Sequence, residues 1–222
     1  EFSVNEKVAL EVAVGASVNG YASCVFFKSV GLNVASDSFM QLSMLELTGG
    51  MVIILGDDPG ANSSQNEQDN RHYAYMSYTP VFEPANPQES YEMFKEALVL
   101  SRKHRVPVIL RMTTHVCHAK GVVNYSPWNT SVVEKKPSFD PVSNPYIPLT
   151  TTVAGLKLKA LKKLKALEEY SNTSRFNKKS LVGKERGIIT AGLPYLSLMD
   201  ALSEVIDKPD LLSLGMVNPL PR

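Results

Sequence analysis

The sequence predicts an α/β protein built on a doubly wound, mainly parallel sheet with helices on both faces. Three observations carry that prediction. Runs of β-branched and apolar residues at 22–27, 52–55 and 106–112 read as strands buried on both sides. Segments with helical start signals alternate with them. The connections are short, and an αβαβαβαβ alternation with short links gives a parallel sheet.

The bulk composition fits an ordinary globular chain, with 222 residues, 44% of them hydrophobic and 20% charged. A net charge of +1 gives no general attraction to nucleic acid or anionic membrane. No apolar run reaches membrane-spanning length. Two cysteines, Cys24 and Cys117, and no signal peptide point to a reducing cytoplasm.

Taken in order, Ser3 and Glu6 form a Ser-x-x-Glu capping box, which predicts a helix over 4–18. Its small residues Ala9, Ala13, Gly15 and Ala16 allow close approach of a partner, and Gly20 ends it. A strand over 22–27 leads into a loop over 28–33. Ser36 or Asp37 then caps a helix to residue 47, and Gly49-Gly50 stops it.

The stretch around which the chain is organised is Met51-Val-Ile-Ile-Leu-Gly-Asp-Asp-Pro-Gly60 and its polar continuation to Arg71. A buried strand ends in turn formers, and Ser64 with Glu67 predicts a helix over 65–78. Such a carboxyl edge is where open α/β sheets place ligands. A short strand follows at 81–83. Asn86, Pro87 and Glu89 are a strong helix start, with Asn capping and Pro at the first position. That helix should reach His104 with Tyr91, Phe94, Leu98 and Val99 inward. Residues 122–151, rich in Pro, Asn and Ser, read as an irregular wrap. A Lys/Leu helix over 153–170 follows, docked through Leu158, Leu161, Leu164 and Leu167. A second αβ unit opens at 187, with strands at 187–191 and 211–214 around a helix over 195–206. No internal repeat is present.

Several constellations have a plain reading. Glu6 in a first helical turn is a capping carboxylate favoured by the helix dipole. Gly56-Asp57-Asp58 could begin a Mg²⁺–diphosphate motif, but it lacks a second Gly and a partner Asn, so turn chemistry is the better account. His115, Cys117 and His118 lack a fourth ligand for zinc and read as a loop-end cluster. No Gly-x-Ser-x-Gly elbow, Walker loop or Rossmann glycine fingerprint occurs.

From Asn5 to Gly121 the sequence resembles the alpha subunits of indolepyruvate ferredoxin oxidoreductases, members of the 2-oxo acid:ferredoxin oxidoreductase family. The stretches that carry the resemblance are Asn5-Glu-Lys-Val-Ala-Leu-Glu-Val-Ala13, Lys28-Ser-Val-Gly-Leu-Asn-Val-Ala35, Asp57-Asp-Pro-Gly60, Ser63-Ser-Gln-Asn-Glu-Gln-Asp-Asn-Arg71 and Pro107-Val-Ile-Leu-Arg111. The Ser-Ser-Gln-Asn-Glu-Gln-Asp-Asn match is the most specific, and agreement over 122–184 is loose.

The resemblance implies an enzyme that oxidatively decarboxylates an aryl pyruvate to an acyl-CoA, using thiamine diphosphate with Mg²⁺, coenzyme A and ferredoxin. It makes this region the domain that binds the cofactor's aminopyrimidine ring. Glu6 becomes the glutamate bonded to the pyrimidine nitrogen, favouring the imino tautomer that can remove the thiazolium proton. Asn33 is assigned to cofactor binding, and Ser64 and Gln65 to substrate contact. Residues 1–121 are then a pyrimidine-binding domain lacking its first strand and loop, and 122–186 a wrap, helix and linker. Residues 187–222 resemble the start of a transketolase-C-terminal-like domain.

On this reading the chain is an internal fragment, inactive by itself, that associates through the face of its first helix. The diphosphate site, the 4Fe–4S clusters, a beta subunit and a second alpha subunit belong to the parent; two cysteines cannot hold a four-iron cluster. The rival reading is a non-catalytic α/β scaffold kept for dimerisation or partner binding.

Overall fold

The computed structural model describes residues 2–127, 136–142 and 146–222. Eight strands form two sheets among these residues, and the larger has the order β1-β2-β4-β3-β8. Strands β1 (Ser23–Lys28), β2 (Met51–Asp57), β4 (Pro107–Thr113) and β3 (Val81–Phe82) are parallel, while β8 (Met216–Asn218) runs antiparallel to β3. A three-stranded sheet, β5 (Lys178–Ser180), β7 (Asp210–Leu214) and β6 (Gly187–Ala191), follows in the chain.

The two-residue alternation of the central strands explains why both faces are covered. Met51, Ile53, Leu55, Val81 and Ile109 join one buried cluster, with Leu10 of α1 (Glu6–Val18) and Leu32, Ala35 and Phe39 of α2 (Ser29–Phe39). Val52, Phe82, Val108 and Leu110 join the other, with Met93, Ala97 and Leu100 of α4 (Pro87–His104) and Leu167 of α6 (Val153–Thr173). Side chains two apart on a strand share a face, so strands without a polar face need helices on both sides. This is the expected doubly wound sheet. The strand after residue 214 adds to it: β8 returns to pair with β3 and places Met216 in the second cluster.

Several expected boundaries move. Asn5, not Ser3, caps α1: its side chain accepts the Val8 amide at 2.9 Å, and the helix begins at Glu6. Residues 29–33, expected as loop, form the first turns of α2, which starts directly after β1 and ends at Phe39; only a 3₁₀ turn, Leu42–Met44, continues it. The helix expected over 65–78 shrinks to α3 (Arg71–Met76), because the Ser64 amide is held by the Asp58 carboxylate at 2.9 Å.

The start of α4 is as read. Asn86 Oδ1 accepts the Glu89 amide at 2.9 Å, and Glu89 reaches back to the Ala85 amide at 2.9 Å. Its inward face is rotated, however. Met93, Ala97 and Leu100 are buried, Phe94 and Leu98 are partly so, and Val99 is exposed. Tyr91 turns to the chain beyond β4, its hydroxyl accepting the Ser126 amide at 3.0 Å.

On α6 the buried stripe is Leu156, Ala160, Leu167 and Ser171, while Leu158 and Leu161 face outward. Lys163 joins the docked side, donating to the Leu45 carbonyl at 2.7 Å and facing Glu46 at 3.1 Å. Burial pushes its pKa down. The helix of the second unit, α7 (Pro194–Ala201), ends before residue 206. No helix among the described residues is long and apolar enough to cross a membrane.

Candidate functional site

The site is built where the strands β1, β2 and β4 end. Asn5 holds extended backbone and caps α1, which fixes Glu6 in its first turn. The half-buried Glu6 side chain lies against Gly31 of α2. A Cβ on Gly31 would stand 2.6 Å from Glu6 Cγ and 3.1 Å from Oε1, so only glycine leaves the carboxylate where it is. The two helices are tied beside it by Lys7 to Asp37 at 2.7 Å and by Ser38 Oγ to Glu11 at 2.5 Å. No hydrogen bond or ion pair engages the Glu6 carboxylate itself among the described residues.

Glu6 lines a groove of about 850 Å³ whose wall includes Ala9, Val12, Phe26, Ile54 and Met112. Phe26 is 68% exposed and Val12 60%, an apolar surface open beside an unpaired carboxylate. Such a groove suits a flat, weakly polar ring that presents one nitrogen to an acid.

The polar loop after β2 is folded on Asp58. Its carboxylate accepts the amides of Ser63 at 2.7 Å and Ser64 at 2.9 Å, the Thr114 hydroxyl at 2.7 Å and the Asn62 amide group at 3.1 Å. These bonds, that from Ser63 foremost, hold its pKa well below the usual carboxylate range. Gln68 then stitches the loop to α2: it exchanges two 2.9 Å bonds with Asn33 and donates to the Ser29 carbonyl at 3.1 Å. Tyr73 donates to Asn33 at 2.8 Å. The loop is thereby fixed to the same first turns of α2 against which Glu6 rests.

The residues assigned from sequence are therefore only partly brought together. Asn33 sits two residues from Gly31, but its side chain is spent on Gln68 and Tyr73. Ser64 uses its amide on Asp58, Gln65 is exposed, and neither lines the Glu6 groove. Asp57 and Asp58 are both engaged by protein groups. His115 and Cys117 lie on the short helix α5 (Thr114–His118) but line different cavities, and His118 is exposed. No group of three His, Cys, Asp or Glu side chains among the described residues is placed to hold a metal ion.

A buried ionic ladder was not legible beforehand. Arg111 donates to Asp57 at 2.6 Å and to Glu83 at 3.0 Å, and all three are nearly inaccessible. Asn70 also bonds Asp57, and Arg71 lies 3.7 Å from Glu83 while clasping Asp69. That clasp holds the Asp69 carboxyl at about 2. An arginine inside the apolar run Pro107-Val-Ile-Leu-Arg111 was the available signal, since a charge in a buried strand needs a partner.

This fold defines a doubly wound α/β domain with helices on both faces of its main sheet. Residues 4–172 match the model of the pyruvate flavodoxin/ferredoxin oxidoreductase, thiamine-diphosphate-binding family, and the chain belongs to that family. The indolepyruvate oxidoreductase subunit IorA of Methanothermobacter marburgensis is 42% identical over the whole chain, and that of Archaeoglobus fulgidus 38%. The chain spans 36% of the length of each. Among solved structures, 2-oxoglutarate:ferredoxin oxidoreductase from Magnetococcus marinus superposes with a TM-score of 0.72 at 17% identity, over 99% of this chain and 46% of that one. The likeness supports the fold.

Proposed function

We propose that this chain forms the aminopyrimidine side of a thiamine-diphosphate site in a 2-oxo acid:ferredoxin oxidoreductase of the indolepyruvate type. The observation that carries the proposal is the unpaired Glu6 carboxylate, held against Gly31 at the mouth of an apolar groove. Thiamine diphosphate supplies, when bound, the carbon nucleophile and electron sink needed to decarboxylate a 2-oxo acid. Glu6 would hold a proton shared with the pyrimidine nitrogen. Gly31 and the Asn5 cap would orient that carboxylate, and the Ala9, Val12 and Phe26 wall would exclude water from the ring.

Asn33 would act by fixing the turn that carries Gly31. Ser64 and Gln65 would approach substrate only from the outer side of the Asp58-centred loop. Residues 1–121 would be the pyrimidine-binding unit, 122–186 its wrap and linker, and 187–222 the start of a further domain that lends β8 to the first sheet. Mg²⁺ and the diphosphate would be held by another part of the complete protein, as would the 4Fe–4S clusters. Coenzyme A would take the acyl group, with a beta subunit, a second alpha subunit and ferredoxin as partners in the cytoplasm.

Calorimetric titration with thiamine diphosphate and Mg²⁺ tests the reading. The complete subunit assembly should bind stoichiometrically, its Glu6→Ala variant more weakly, and this chain alone weakest of all, the metal–phosphate anchor lying elsewhere on this reading. Equal affinity in wild type and Glu6→Ala would return the chain to the scaffold reading.

A further inference from the structure

Helix α6 is docked by one side only. Leu156, Ala160, Leu167 and Ser171 are buried against the body of the chain. They fall on one stripe at helical spacing, which fixes the side that faces outward. Leu158 is 61% exposed there and Leu161 39%, three positions apart and so neighbours on the helix surface. Lys157, Lys159, Lys162 and Lys165 are exposed around them. From 153 to 167 the helix carries five lysines and no acidic residue, in a chain whose net charge is +1. Lys163 turns inward to Glu46 at 3.1 Å, while the four exposed lysines make no hydrogen bond or ion pair among the described residues.

Both features weigh against the helix standing in water alone. Lys159 with Lys162, and Lys162 with Lys165, have the spacing at which like charges repel and weaken a helix. The two leucines leave apolar surface wet in their midst. A partner that covers the leucines and brings carboxylates to the lysines relieves both. The composition of the patch chooses that partner. Nucleic acid would use the lysines and leave the leucines against phosphate and sugar. An anionic bilayer takes helices with a broad apolar face, and residues 153–167 show it two leucines and no aromatic residue. A small apolar centre in a charged rim is the anatomy of a protein interface, and the sign of this rim calls for an acidic protein.

We propose that the outward face of α6 docks an acidic protein, whose apolar side chains cover Leu158 and Leu161 while its carboxylates face Lys162 and Lys165. This surface is independent of Glu6 and of any cofactor, so its test stands apart from that of the function proposed above.

The test uses the complete subunit and two labelled synthetic peptides of identical Leu and Glu composition. One places its leucines on a single helical face, and the other has the same residues shuffled. Fluorescence anisotropy should show the amphipathic peptide binding about tenfold more tightly than the shuffled one. Its affinity should fall as added salt shortens the range of the charges. Lys162→Glu together with Lys165→Glu should weaken both peptides by about tenfold. Leu158→Ser should weaken the amphipathic peptide about fivefold and leave the shuffled one unchanged. All three positions are exposed, so thermal unfolding of these variants should match the native subunit. Equal binding of the two peptides, no binding of either, or amphipathic binding untouched by Leu158→Ser overturns the inference. So does lysine-dependent binding to phosphatidylglycerol vesicles that is tighter than binding to the amphipathic peptide.

Discussion

Replacing Gly31 by alanine should disable the site while leaving the fold standing. The added methyl would lie 2.6 Å from Glu6 Cγ and 3.1 Å from both Cδ and Oε1. Carbon atoms rest at roughly 3.5–4.0 Å, so the carboxylate must retreat by about 1 Å. The stability cost is small because two terms oppose. Overpacking costs about 1–3 kcal/mol, and Gly to Ala inside a helix returns about 1 kcal/mol. A net loss of about 0–2 kcal/mol lowers Tm by at most about 8 °C in a chain of this size. A catalytic group misplaced by about 1 Å can cost about 10²-fold in rate. The assay pairs thermal unfolding with steady-state 2-oxo acid oxidation in the complete enzyme at saturating thiamine diphosphate. Normal turnover in a folded Gly31→Ala variant would refute the claim that Gly31 positions Glu6.

Arg111→Met strands the Asp57 and Glu83 carboxylates, and removing one partner of a buried ion pair costs about 3–5 kcal/mol. Urea unfolding of the native chain and the variant checks the size. Asp58→Asn should release the loop it organises. The Asp58 carboxyl is depressed in the folded state, so its contribution is complete above the ordinary carboxylate pKa of about 3.9 and is lost as pH falls through the lower folded value. Hydrogen exchange at the Ser63 and Ser64 amides should show protection at neutral pH in the native chain and its loss in the variant. Protection unchanged in Asp58→Asn would show that the loop is held by something else.

The sheet was readable because Met51, Ile53 and Leu55 need one apolar face and Val52 and Val108 the other, a requirement written locally in the strands. The α4 start was readable for the same reason, since Asn86, Pro87 and Glu89 act within one turn. What failed was local chemistry overruled from a distance. Gly31 and Asn33 read as loop residues, yet both lie in α2, where the Glu6 side chain, 25 positions earlier, occupies the space a Cβ on Gly31 would need. Ser64 and Glu67 have capping spacing, but the Asp58 carboxylate had already taken the Ser64 amide. Glu6 was a capping acid on the residues alone and became a site residue only through the resemblance. Nothing near Arg111 in sequence announces a partner 54 residues back, at Asp57.

The central claim is that Glu6 shares a proton with the cofactor's pyrimidine ring, and Glu6→Gln in the complete enzyme tests it most directly. The substitution keeps the length and shape that pack on Gly31 and removes only the charge, so thermal stability should be nearly unchanged. Turnover of indolepyruvate at saturating thiamine diphosphate should fall by about 10²–10⁴-fold, the range for a lost acid–base group. Near-normal turnover in a correctly folded Glu6→Gln enzyme would contradict the account and leave Glu6 as a first-turn helical acid without a catalytic role.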